Sequence, residues 1–274
     1  MSINLYGGVG LNLNSGALFS NTILEKKNIL ILVTGTNTKP YDSNWKECEK
    51  TWIPELRKLG YDIKVAIGNP KLKDYYTIKD NIIYFRADDS KLGLYDKSIR
   101  IPIIWILAET NYQYYIRIDS DSFVEPKRFD EMLRQNLTEV PNLNYMGCCH
   151  PYNGWNPHHR YRLFSCMEEH IASGCAYMVS RKAMITALEH MRIKNENDLK
   201  IDDWVLGRAM WENGIELLHD SRIIFESKYK QLTDDPLDVG MPDIGDPNSH
   251  LAIQHYMNGH MEEVMISLGY RNKI

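Results

Sequence analysis

Apolar residues recur along this chain in two rhythms, short unbroken runs and helical spacings, and they alternate through most of its length. Asn28 to Thr36 is a continuous apolar run closed by small polar residues, the pattern of a central parallel strand that feeds a ligand-facing loop. Asp62–Ile67 and Asn81–Arg86 predict two further strands. Between the first two, Trp45, Cys48, Trp52 and Leu56 recur at helical spacing; the helix is expected from Ser43 to Leu59, with Pro54 inside it and Gly60 as its stop. A helix through Trp105 and Leu107, begun or interrupted near Pro102, leads to a strand over Tyr114–Val124. A helix from Glu125-Pro126 to about Leu137, a strand over 144–149, a strand over Ser173–Ser180 and a helix from Arg181 to about Met191 follow. Asp202 opens another helix through Trp211, stopped by Gly214. Strand and helix in alternation predict an α/β fold with a doubly wound, mostly parallel central sheet and a switch point. Residues 1–27, rich in turn formers, read as a flexible arm, and Asp234–Pro247 as a long loop.

Composition narrows the class. The chain has 274 residues, 43% hydrophobic and 25% charged, enough for a substantial core. Its net charge of -4 and the lack of a long basic run argue against wrapping by nucleic acid. Cys48, Cys148, Cys149, Cys166 and Cys175 have neither zinc-type nor redox-type spacing and read as reduced, partly buried thiols. The first residues do not resemble a signal peptide, and the apolar stretches are too short for a transmembrane segment. The expectation is a soluble, cytoplasmic protein of viral or microbial origin.

The candidate chemistry centres on Asp119-Ser120-Asp121. An apolar strand that ends in two acids sets both carboxylates at its C-terminal edge, where open α/β sheets bind ligands. Such a pair repels itself unless a positive group intervenes, and a hard divalent cation with oxygen ligands suits it. A metal-dependent enzyme acting on a phosphate-bearing substrate is the reading. Ser173-Gly174-Cys175 begins a strand with small residues that admit a substrate close to the backbone. Cys149 to His159, with Trp155, is an aromatic-rich loop that suits a sugar or base. Asp202 and Asp203 lie in a first helical turn, where caps also favour acids.

Several of these stretches, in order, resemble the β-1,3-galactosyltransferase/Fringe-type glycosyltransferases. Val33-Thr34-Gly35 is similar to the family's first strand and uridine-facing turn, and Trp52 to the tryptophan of its first helix. Leu94 to Lys97 with Trp105 resembles the helix before the metal strand. Tyr115–Val124 resembles the acidic strand end, with Ser120 where the middle aspartate usually stands. Ser173–Tyr177, Asp202–Gly207 and Ser249-His250-Leu251 are similar to the glycine-rich strand, the catalytic helix and the late histidine motif.

The resemblance implies a single GT-A domain over 28–274, with a nucleotide-sugar half to about 125 and an acceptor half beyond. It implies transfer from a nucleotide-sugar donor, UDP-linked, to a glycan or glycoprotein acceptor, with inversion. Mn²⁺ or Mg²⁺ would be held by Asp121 and His250 (alternatively His255), with Asp119 on the ribose or a metal-bound water. Thr34, Gly35, Ser120 and Lys97 would face the donor, and Gly174, Cys175, Asp202 and Trp155 the acceptor. Asp203 would be the base, ionised at neutral pH because a helix N-terminus lowers a carboxyl pKa. Two alternatives stay open: a haloacid dehalogenase-type Mg-dependent phosphatase or phosphotransferase, and a non-catalytic nucleotide-sugar or glycan-binding module.

Overall fold

The computed structural model describes residues 25–90, 93–149, 161–163, 171–194, 202–225 and 251–255. Among them the strands form a nine-stranded and a three-stranded sheet.

The first half supplies a parallel block. β1 (Ile29–Thr34) is fully buried on both faces and pairs in parallel with β2 (Asp62–Gly68) and β5 (Tyr114–Asp119). Continuous apolar runs produce such central strands because helices cover both sides of the sheet. The helix predicted between β1 and β2 forms as two, α1 (Asn44–Lys50) and α2 (Trp52–Lys58), broken at Thr51. The break sets Pro54 in the first turn of α2, where its missing N–H leaves no helical bond unmade. Gly60, at φ +97°, ends the pair. β2 then pairs with β4 (Ile82–Phe85), and β4 with β3 (Tyr76–Lys79), an edge strand absent from the sequence prediction. The β3–β4 hairpin closes through a two-residue loop in which Asp80 has φ +56°.

Chain and sheet order part company at β1. The strand order is β3-β4-β2-β1-β5, so the chain passes from β4 across β1 to β5 and creates a switch point between β1 and β5. That crossing uses a π-helical turn, Asp96–Arg100, running into α3 (Ile101–Glu109), with Pro102 in its first turn. Beyond β5 the sheet turns mixed. β9 (Ala172–Ser180) lies antiparallel to both β5 and β7 (Tyr145–Cys149), followed by β10 (Leu218–Asp220) and β8 (Tyr161–Leu163). In this sheet, parallel pairing is thus continuous through the β4-β2-β1-β5 block and recurs only between β7 and β10 among the described residues.

One face of the sheet packs on α1, α2 and α4 (Pro126–Glu139) through Val33, Trp52, Ile118, Phe129 and Met132. The other packs on α3, α5 (Arg181–Lys194) and α6 (Asp202–Glu212) through Leu32, Trp105, Tyr115, Tyr177 and Val205. The small sheet joins β6 (Ser122–Val124) to β12 (Ile253–His255) and β11 (Ile223–Phe225). No described helix is long and apolar enough to cross a membrane. Cys48, Cys148 and Cys175 are buried. Residues 1–24 of the expected arm lie outside the described residues; Lys26, at its end, forms an ion pair with Asp130.

Candidate active site

Thr34 and Asp119 are register partners at the C-terminal ends of β1 and β5, so the switch point opens at both. The Asp-Ser-Asp turn is tied down at its middle. Ser120 is 7% exposed; its N–H donates to the Thr34 carbonyl (3.2 Å), and its own carbonyl accepts from Cys48 Sγ (3.3 Å). Ser120 therefore shapes the turn that spaces the two acids. β6 begins directly after Asp121, and its antiparallel register sets His255 opposite Ser122.

The loop after β1 is fixed from the π-helical turn. Lys97 is 2% exposed, and its ammonium donates to the Gly35 carbonyl (2.9 Å) and to the carbonyl and Oδ1 of Asp89 (3.2 Å each). Asp89 in turn accepts from Gly68 N (2.8 Å), Thr36 Oγ1 (3.0 Å) and Asn37 N (2.6 Å). Burial pushes the Lys97 pKa down, and the Asp89 charge opposes that. Lys97, expected at the donor, is instead turned inward as the anchor of the loop. A Cβ at Gly35 would lie 3.0 Å from side-chain atoms of Trp45 and Ile67, which would have to give way. Thr36 and Asn37 form the outward part of this loop, and Asp89, from the segment after β4, ties it down; sequence reasoning singled out none of the three.

From the other side, β9 and α6 bring the acidic pair. Gly174 N donates to Asp203 Oδ2 (3.1 Å), and Asp203 Oδ1 accepts from Trp204 N (2.9 Å). Burial first, and then the Asp202 charge, push the Asp203 carboxyl up to about 6, against the opposing pull of Arg117 and the two N–H groups. This reverses the expected downward shift: at 8% exposure, desolvation outweighs the helix N-terminus. Asp202 is turned inward at 3% exposure, accepting from Ser98 Oγ (2.8 Å), so it is not presented as an acceptor contact. Cys175 likewise faces the core, where burial raises its thiol pKa to about 12. A regular strand would alternate its faces, yet Cys175 and Ala176 pack in the same core, so the strand is irregular there.

Arg117 joins the two sides. It is fully buried on β5; Nη2 lies 2.6 Å from Asp119 Oδ1 and 3.3 Å from Asp202 Oδ2, and Nε donates to Thr34 Oγ1 (3.2 Å). Burial works against its charge, but Asp119 and Asp202 outweigh it and raise its pKa. The signal was present in the sequence: one arginine among apolar residues in a central strand must find carboxylates when buried. Trp155 and His250 lie outside the described residues, as does the side chain of His255. Among the described residues no three acidic, histidine or cysteine side chains gather as a metal-binding group.

Residues 81–221 match the sequence model of the galactosyltransferase family. Among solved structures, the chain is similar to a glycosyltransferase involved in glycosylation of the major capsid of PBCV-1. That match has 15% identity and TM-score 0.46, and covers 89% of this chain and 99% of that one. It is also similar to the galactosyltransferase LgtC in complex with donor and acceptor sugar analogs, at 10% identity and TM-score 0.45, covering 89% and 97%. A third similar structure is CMP:2-keto-3-deoxy-manno-octonic acid synthetase with CTP, at 11% identity and TM-score 0.41, covering 70% and 88%. No curated protein matches the chain.

Proposed function

The chain belongs to the galactosyltransferase family and is a glycosyltransferase, and from that premise we propose how its residues divide the work. The donor is a nucleotide sugar, UDP-linked, held at the switch point between β1 and β5. The acceptor is a hydroxyl of a glycan or glycoconjugate that approaches over Gly174. Asp203 takes the proton of that hydroxyl as its oxygen bonds to the anomeric carbon from the face opposite the departing nucleoside diphosphate, giving inversion. The observation that carries this reading is the Asp203 carboxyl, buried, pushed up to about 6 and bonded to Gly174 N. A base near that value is ionised at neutral pH yet retains proton affinity.

Metal binding fits the chemistry of the acids at the end of β5. Asp119 and Asp121 flank a one-residue turn and offer hard oxygen donors. Arg117 already engages Asp119 at 2.6 Å, so Asp121 is the principal ligand and Asp119 serves the ribose or a bound water. The register of β12 favours His255 over His250 as the further ligand, since it pairs with Ser122 next to Asp121. A divalent cation, Mn²⁺ or Mg²⁺, would there neutralise the charge that collects on the diphosphate. The phosphotransferase alternative needs the first acid of the strand as a nucleophile; the Arg117 ion pair on Asp119 speaks against it.

Asp203→Asn tests the assignment. Loss of transfer with nucleotide-sugar binding kept supports Asp203 as the base, whereas transfer at the wild-type rate removes it from that role.

A further inference from the structure

The Asp-Ser-Asp turn and the Asp202-Asp203 pair come from opposite sides of the β5–β9 junction, and one side chain bonds to both. We propose that Arg117 is a positioning residue that holds the donor-side carboxylate and the acceptor-side base in fixed relation, so that transfer to an acceptor depends on it more than donor binding does. This rests on the glycosyl-transfer reading given above.

Three observations support it. Among the described residues, each side-chain hydrogen bond or ion pair of Arg117 reaches a different segment: Thr34 at the end of β1, Asp119 at the end of β5 and Asp202 at the start of α6. Its remaining nitrogen, Nη1, is buried without a hydrogen-bond partner among the described residues. Nη1 also faces Gly174: a Cβ built there would lie 3.0 Å from Nη1 and 3.3 Å from Asp203 Oδ2. The guanidinium and the base carboxylate thus border the same small volume, which glycine leaves open. Finally, Ser98 on the π-helical turn donates to Asp202, and Lys97 beside it anchors Gly35. The segment that fixes the donor loop therefore also fixes the carboxylate that Arg117 grips. A planar fork suits this task. An ammonium is a point charge and cannot reproduce two directional hydrogen bonds and an ion pair to three segments.

The test measures donor binding and transfer separately in wild type, Arg117→Lys, Gly174→Ala, Asp202→Asn and the Arg117→Lys/Asp202→Asn double variant, each first checked for a cooperative thermal transition. Displacing a positioned group by about 1 Å costs roughly 100-fold in rate. Arg117→Lys and Gly174→Ala are therefore expected to lower kcat for transfer about 100-fold while the donor Kd stays within about threefold. Asp202→Asn should add no more than about threefold to the loss in Arg117→Lys, because both break the same link. If Arg117→Lys does not fold, Gly174→Ala, which keeps every charge, decides alone. Transfer within threefold of wild type in the folded variants overturns the proposal. So does donor affinity that falls in step with kcat, and so do losses that simply multiply in the double variant. A wild type that neither transfers from nor hydrolyses any nucleotide sugar overturns the glycosyl-transfer reading itself, a result distinct from active wild type with unaffected variants.

Discussion

Asp203 is pulled two ways. Its place in the first turn of α6, the Gly174 and Trp204 N–H groups and Arg117 favour the carboxylate; burial and Asp202 favour the acid and win, to about 6. If Asp203 is the base, kcat/KM should fall below about pH 6 with the slope of one proton, since the acid cannot accept the acceptor's proton. Asp203→Asn should remove that limb and lower transfer by about 10²–10⁴. The linkage has the opposite sign to that of a salt-bridged aspartate. Because the folded-state pKa lies above the ordinary value of 3.8, the folded protein holds a proton that the unfolded chain has released. Stability from this group is present below about pH 4 and is lost as pH rises towards 6. Asp203→Asn should therefore lose this group's share of the stability change between about pH 4 and pH 6, together with activity. Urea denaturation of both proteins at pH 4 and pH 7 checks this. A variant markedly less stable at pH 7 would show that the carboxylate contributes to the fold.

The elements show which features the sequence discloses. Strands β1, β2, β5 and β9 were legible because unbroken apolar runs leave a buried strand few alternatives, and α6 because acids begin it and Gly214, at φ +67°, ends it. β8, β10 and β11, three residues each, are too short to express a period. Asp121, Asp203 and Gly174 could be read as candidates from their residue types and their places at element ends. The inward orientation of Lys97, Asp202 and Cys175 could not, because it depends on a π-helical turn and on an irregular strand. That turn gives a prediction. Asp89→Ala would leave the Lys97 ammonium, its side chain 3% exposed, without its carboxylate, and would free Gly68 N and Asn37 N, while Thr36 Oγ1 keeps its bond to the Asp89 carbonyl. The expected cost is about 3–5 kcal/mol, with weaker nucleotide-sugar binding, measured by urea denaturation and calorimetry. A stability change within the error of the fit would contradict the anchoring role.

Across the whole molecule, the parallel block ends at β5 and the antiparallel pairing begins at β9, so the proposed donor and acceptor sides would meet where one central strand serves both. β12 closes the arrangement from far along the chain: Glu125 N bonds to the Ala252 carbonyl, and Ala252 N and Ile253 N to that of Arg222. The register that sets His255 opposite Ser122 leads to a comparison of two substitutions. His255→Ala should raise the Mn²⁺ concentration needed for half-maximal activity at least about tenfold, as loss of a ligand does, and His250→Ala should change it less. The reverse ranking would return the ligand role to His250. The account as a whole stands on sugar transfer from an activated donor. The most direct test incubates the protein with UDP-, GDP-, dTDP- and CMP-linked sugars, with Mn²⁺ and with EDTA, and follows nucleotide release. Release of UDP from one UDP-sugar, abolished by EDTA, is the result predicted. Failure to bind or cleave any nucleotide sugar, with phosphate released from simple phosphate esters instead, would contradict it.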